Sequence, residues 1–378
     1  MAEDIKEKIG TIEGIQYLRG VASLMVVFFH ARSYFGVVPE WTRIGSRGVD
    51  IFFVISGFII VYATRNISND VSAIRSSATF LGKRFIRVVP LYWIALTITA
   101  FPYFMWWFHS VDSITGLFDK INYDLVTIFK DYAFMPHLSI DEDEKGEIFP
   151  ILIQGWTLNY EIAFYFLFGL TILARQYRII TAALLISGLV LLGKLHHFHE
   201  ISALFYTSPI LLEFVYGILL YEIYVKTYHL TFNKMTLVSL GVVGILLLSI
   251  GSGTNNKVVL GAASALIVWS FIQVFRDVHF RPLKILGDAS YSIYLFHLLS
   301  FKLARVVVGS LSIEPHGYFN ILTIIGIHVL VSVTSGIAVY YIVEKPMLRL
   351  LRKGLDRVTK VSSTWFTQLS SAAGCKTN

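Results

Sequence analysis

Apolar residues run in long blocks along the chain, separated by short polar segments rich in Lys and Arg. A helix that crosses the hydrocarbon core of a bilayer needs about 20 apolar residues. Blocks of that kind lie near 14–35, 49–65, 86–108, 150–173, 177–194, 203–224, 235–251, 257–275, 288–309 and 319–343. They are too long for barrel strands. Lipid offers no partner to an exposed N–H or C=O group, so a helix is the form such a block takes. The pattern predicts an all-α protein, a polytopic membrane helix bundle of about ten transmembrane helices.

Composition strengthens that reading. Hydrophobic residues make up 55% of the 378 positions and charged residues 15%, with a mean hydropathy of +0.64. A soluble domain carries about 25% charged residues. The net charge of +7 needs no nucleic acid to explain it, because the basic residues alternate from loop to loop. Arg65, Arg75, Lys83, Arg84 and Arg87 fall on one side, followed by Arg175, Arg178, Lys226, Lys234, Arg276, Arg281 and Lys284. The positive-inside rule puts that side, and both termini, in the cytoplasm. Residues 1–349 are expected to form the transmembrane domain. Residues 350–378 are expected to form a basic cytoplasmic tail against the inner membrane surface. The first block contains Arg19 and lacks a clear cleavage site, so it does not read as a signal peptide. The lone cysteine, Cys375, excludes an internal disulfide and a cysteine metal cluster. The run Asp141-Glu142-Asp143-Glu144 closes the longest external loop, 109–149, and reads as a solvated segment. The absence of an internal repeat weighs against a transporter built from duplicated halves.

Ionisable side chains inside a span are costly and therefore candidates for function. The first block holds Arg19 and His30. Eleven positions separate them, about 16 Å of helix, and eleven residues is close to three turns, so both face the same way. The fourth block holds Glu161 at a depth compatible with His30. A Glu–His pair would fix the imidazole tautomer and raise its basicity. The ninth holds Tyr291, Tyr294 and His297 at spacing three, which reads first as a structural polar ladder. Glu213 sits similarly beside Tyr216 and Gly217. Arg84 and Arg87 suit phosphates, since the guanidinium fork donates bidentately, but positive-inside anchoring needs no ligand and is the first reading of them from the residues alone. His196, His197, His199 and Glu200 read as a solvated loop, and no metal is expected. Gly-x-Ser-x-Gly and phosphate-cradling glycine loops are absent, so neither a serine hydrolase nor a nucleotide hydrolase is suggested.

Six pieces in order then resemble a known pattern. Leu18 to His30, Gly48-Val49-Asp50 through Ser56-Gly57-Phe58, and Lys83-Arg84 through Arg87, Pro90 and Tyr92 form its first half. Trp156-Thr157-Leu158 with Glu161, Ser290-Tyr291 through His297, and Val343-Glu344-Lys345-Pro346 form its second. Together they resemble the acyltransferase-3 family of bacterial membrane acyltransferases, most closely its exopolysaccharide acetyltransferase branch. The resemblance implies a multi-pass protein of the bacterial cytoplasmic membrane. It implies acyl transfer, most often of acetyl, from cytoplasmic acyl-CoA to a hydroxyl of a surface or exported polysaccharide or its lipid-linked precursor. Acyl-CoA would be a co-substrate, with no permanently bound cofactor, and membrane lipids would be the remaining partner. His30 would be the general base, with Glu161 orienting it. Arg19, Arg84 and Arg87 would bind the donor. Asp50, Ser56, Tyr92, Trp156, Tyr291 and His297 would shape the cavity. A covalent acyl-His30 intermediate is the variant chemistry. The rival from another class is a glycan-lipid transporter or flippase that leaves its cargo chemically unchanged.

Overall fold

With no water to bond to inside lipid, a backbone must satisfy itself, and the chain does so with helices. The structure is a computed structural model that describes residues 12–33, 40–67, 72–109, 126–138 and 148–357. Helix α1 spans Glu13–Ser33, α2 Gly48–Thr64, α3 Ala73–His109 and α4 Gly155–Thr171. Then come α5 at Arg178–Leu195, α6 at Ile201–Tyr206, α7 at Leu212–Thr227 and α8 at Lys234–Thr254. The last are α9 at Lys257–Val274, α10 at Arg281–Ser310 and α11 at Gly317–Val339. Among the described residues, nine helical stretches are long and apolar enough to cross a bilayer. One of them, Gly155–Leu195, contains both α4 and α5, which part at Arg175 where φ reaches 53°. The chain is thus a multi-pass helical membrane protein.

The two ends of the described chain meet on one face of the bundle, as an even number of crossings requires. Lys284 at the start of α10 donates to Glu13 at the start of α1 over 2.8 Å. Gln16 of α1 shares a hollow with Arg349 and Arg352.

Several boundaries differ from the hydropathy pattern. Helix α3 begins at Ala73 rather than near 86, so Lys83, Arg84 and Arg87 lie within a helix and not in a loop. Its polar entry is held by tertiary contact: the Ser77 hydroxyl donates to the Gly169 carbonyl of α4 over 2.7 Å. The sixth block divides into α6, a 3₁₀ turn at Pro209–Leu211 and α7. Proline has no N–H and pushes the residue before it out of the helical region, and Ser208 is extended, with ψ 139°. At the C-terminus α11 passes into a π-helical turn, Tyr340–Glu344, and the helix continues to residue 357, across the expected boundary at 349/350. The acidic run Asp141–Glu144, Cys375 and the tail beyond 357 lie outside the described residues.

Lipid tails are as apolar as leucine, so helices in a membrane gain most from close packing at small residues. Gly57 of α2 and Gly217 of α7 face one another, and a Cβ on either would run into the carbonyl of Phe214 or of Val54. Gly20 of α1 and Gly287 of α10 make the same kind of crossing: a Cβ on Gly287 would meet the Gln16 carbonyl. Large apolar side chains such as Leu184, Ile250, Val306, Phe319 and Ile342 point outward, while Glu213, His297 and Glu344 are fully buried. Polar groups inside and apolar groups outside are the arrangement a lipid solvent selects.

Candidate active site

The glycine crossing brings α10 against α1, and this contact creates a histidine pair. His297 on α10 is fully buried. Its Nδ1 lies 2.6 Å from the Tyr294 carbonyl and its Nε2 lies 3.2 Å from Nδ1 of His30. His30 Nδ1 also lies 2.9 Å from the Val26 carbonyl, one turn back on α1. A carbonyl oxygen can only accept. Neutral His297 therefore carries its proton on Nδ1, and its Nε2 presents a lone pair. His30 Nδ1 must then be the protonated nitrogen, its hydrogen shared between the Val26 carbonyl and His297 Nε2. Its own Nε2 is left as a free base. Two backbone carbonyls and one buried ring thus set the tautomer of His30.

The partner expected for His30 was Glu161, and the structure does not bring the two into hydrogen-bond contact. Glu161 Oε1 accepts from the Ser56 hydroxyl of α2 at 3.0 Å and from the Tyr165 hydroxyl one turn along its own helix. Among the described residues, no hydrogen bond or ion pair joins Glu161 to His30. The reason is lateral placement. Helix α4 packs on α3 and α5, whereas α1 packs on α10, α2, α9 and α11. Depth in the bilayer, readable from sequence, does not say which helices are neighbours.

Glu161 instead lies on the wall of an internal cavity of about 180 Å³. Arg19, Arg84, Arg87, Ser56 and Tyr291 line it as well, so this carboxylate faces three guanidinium groups. Arg84 stands over the Phe80 and Tyr165 rings, and Arg87 over the Tyr291 ring at 5.5 Å. The Tyr291 hydroxyl donates to the Val88 carbonyl at 2.7 Å. Tyr294 closes the cavity, with its hydroxyl bonded to Thr157 at 2.8 Å, and its carbonyl is the one that orients His297. His30 is not itself among the cavity-lining residues; it is connected to them through Tyr294 and His297.

Four residues expected to shape this cavity do not line it: His297, which stands behind Tyr294, and three that stand elsewhere. Asp50, at the first turn of α2, pairs with Lys257 at 3.0 Å and with Arg47 at 3.8 Å, beside buried Glu213. Tyr92 packs on Phe134 and donates to the Asp131 carbonyl at 3.3 Å. Trp156 lines a separate hollow with Phe149 and Tyr160. In each case a local partner claims the side chain. His196, His197 and His199 are exposed.

Sequence reasoning missed two features. Glu344, in the π-helical turn, is fully buried and ion-paired with Arg87, and it accepts from Ser292 at 2.5 Å. The extra residue per turn of a π-helix re-aims a side chain, and such turns gather at functional sites. An acid directly before Lys345-Pro346 near the end of the last span was the available signal. The second is Asp131, buried at the end of a short helical segment, 126–132, that precedes α4. It accepts from His137 Nε2 at 2.7 Å and from the Ile151 N–H at 2.9 Å, tying that segment to the residues just before α4. Burial pulls the His137 imidazole down, but the Asp131 hydrogen bond and charge and the Leu138 carbonyl outweigh it, so its pKa stands above the ordinary value of 6.5. A raised pKa adds stability that is fully present below 6.5 and is lost as pH rises through the folded-state value. Hydrogen exchange across residues 126–138 is therefore expected to speed up as pH rises above 6.5, after correction for intrinsic exchange. His137→Gln is expected to remove that dependence; a wild type whose corrected rates stay flat would contradict it.

Comparison with known proteins bears on the family of the chain. A model of the acyltransferase domain family known as acyltransferase-3 matches residues 12–342. The exopolysaccharide production protein ExoZ of Rhizobium meliloti is 32% identical over 334 residues, covering 85% of this chain and 95% of that protein. A protein of Acidianus two-tailed virus that carries an acetyltransferase name is 25% identical over 309 residues, 78% of this chain and 84% of its own. A Staphylococcus aureus protein with an O-acetyltransferase name is 26% identical over 185 residues, 44% of this chain and 29% of its own. No solved structure matches. With the family pattern running through nearly every helix that builds the site, the chain belongs to the acyltransferase-3 family of membrane acyltransferases.

Proposed function

We propose that the protein transfers an acyl group, acetyl in the first instance, from cytoplasmic acyl-CoA to a hydroxyl of an exported polysaccharide or its lipid-linked precursor. It would do so in the bacterial cytoplasmic membrane. The observation that carries the chemistry is the pair of contacts at His30 Nδ1, to the Val26 carbonyl and to His297 Nε2, which places the proton on Nδ1 and leaves Nε2 as the base inside a membrane bundle. His30 Nε2 takes the proton of the acceptor hydroxyl as its oxygen attacks the thioester carbonyl. The tetrahedral intermediate collapses, the C–S bond breaks, and the imidazolium returns the proton to the leaving thiolate. The products are the ester and free CoA. His297 is a positioning residue that holds His30 in the productive tautomer. Glu161 acts within the donor cavity, balancing Arg19, Arg84 and Arg87, rather than on His30.

The direction of supply follows from charge. The donor is anionic, and the cationic end of the bundle is the positive-inside face. The name of the Rhizobium relative, an exopolysaccharide production protein, supports a polysaccharide acceptor. The test is mass spectrometry of surface and exported glycan from cells with and without the protein, fed isotopically labelled acetate. An acetyl increment that carries the isotope label and is present only with the protein is the expected result. A glycan that is unmodified in both strains, yet exported only with the protein, would replace this reading with transport.

A further inference from the structure

Next to the reaction cavity lies a second hollow, of about 500 Å³, on the face where both ends of the described chain meet. Arg19, Arg87, Lys284, Lys345, Arg349 and Arg352 line it, against one acid, Asp288. It shares Gln16, Arg19 and Arg87 with the reaction cavity, so the two adjoin at these three residues. Two of the six cations pair with carboxylates, Arg87 with Glu344 and Lys284 with Glu13, while Arg19 donates to the Gln16 amide oxygen at 3.4 Å and Lys345 stands over the Tyr340 and Tyr341 rings. Lys345, Arg349 and Arg352 have no carboxylate within ion-pair distance among the described residues. Their spacing of four and three places them on one face of the helix that follows the π-helical turn.

Basic residues that only anchor a bundle spread around its rim, where headgroups are. Here cations from α1, α3, α10 and the C-terminal helix converge on one concavity. Like charges brought together repel, and an anionic ligand relieves that cost. A wide cationic chamber opening into a narrow cavity fits a bulky polyanionic head joined to a thin arm.

We infer that this vestibule is a phosphate site in which Lys345, Arg349 and Arg352 hold the bisphosphorylated nucleotide head of the acyl donor, with Arg19 and Arg87 flanking the passage of its arm. This rests on the proposed function for the donor's identity. Its test does not depend on acyl transfer. The full-length protein is placed in phosphatidylcholine nanodiscs, and binding of adenosine 3′,5′-bisphosphate is measured at two salt concentrations. Saturable binding that weakens with salt is expected. The Lys345→Gln/Arg349→Gln/Arg352→Gln variant should lose about tenfold or more per phosphate contact removed, while His30→Ala binds like wild type. The triple variant Lys345→Arg/Arg349→Lys/Arg352→Lys keeps the charge and should retain most binding, which separates lost cations from a misfolded bundle. Wild-type failure to bind, or full binding by the Gln variant, overturns the inference. In a parallel set of nanodiscs that also contain phosphatidylglycerol, a nucleotide-insensitive site that instead enriches that lipid, with the enrichment lost in the Gln variant, assigns the phosphate to lipid and also overturns it. Failure of acyl transfer with nucleotide binding intact would strike the proposed function alone.

Discussion

His30→Ala is expected to reduce acyl transfer by about 10²–10⁴-fold, the contribution of a positioned general base, while leaving the protein in the membrane at normal level. The side chain is part-buried and its loss opens no charge in the bundle. The informative comparison is His297→Phe, which fills buried space next to Phe301 but removes the acceptor that shares the His30 proton. Val26 still accepts from Nδ1 in that variant, so the free base persists with looser orientation. A smaller fall in kcat, with KM for the donor unchanged, is expected. An equal loss in both variants would make His297 a direct participant. Full activity in His30→Ala would remove the base from the mechanism. Turnover of labelled acetyl-CoA by purified protein in nanodiscs, with a soluble oligosaccharide acceptor, distinguishes the three.

The largest stability effect is expected at Arg87. Glu344 is fully buried and its charge is balanced by Arg87, with Ser292 as the further donor. Removing one partner of a buried ion pair strands the other charge and costs about 3–5 kcal/mol. Arg87→Met should therefore sharply lower the thermal midpoint of detergent-solubilised protein as well as activity. Arg87→Met/Glu344→Leu removes both charges and should recover much of that stability, since an apolar pair of similar volume replaces a buried ion pair at little cost. It should not recover transfer, because one of the two guanidinium groups that flank the passage between the cavities is gone. A double variant as unstable as the single would show that Arg87 matters through its ring stacking on Tyr291 and not through the pair.

Arg87 also marks where sequence reading reaches its limit. Its presence at the inner end of a span, and its aptness for phosphate, follow from residue type and the basic-loop pattern. Its capture by Glu344 does not, because 257 positions separate the two and nothing local links them. Asp50 and Tyr92 show the same limit from the other side. Both belong to motifs, yet Lys257 holds one and the Asp131 carbonyl and Phe134 hold the other, away from the cavity.

What the sequence determined by itself was the solvent and the chemistry. Lipid must face apolar residues and cannot satisfy a broken backbone, so block length alone specifies a helical bundle and its crossings, and Lys/Arg bias predicts its orientation. The cost of burying charge singles out Arg19, His30, Glu161 and His297 in the same way. What only the tertiary structure decided was pairing. A periodic pattern records how deep a side chain sits and which way it turns on its own helix. It does not record the neighbour across the gap, which is set where Gly20 and Gly287 let α1 and α10 close together. That contact gave His30 a histidine rather than a glutamate as its partner, and with it the nitrogen that is left free.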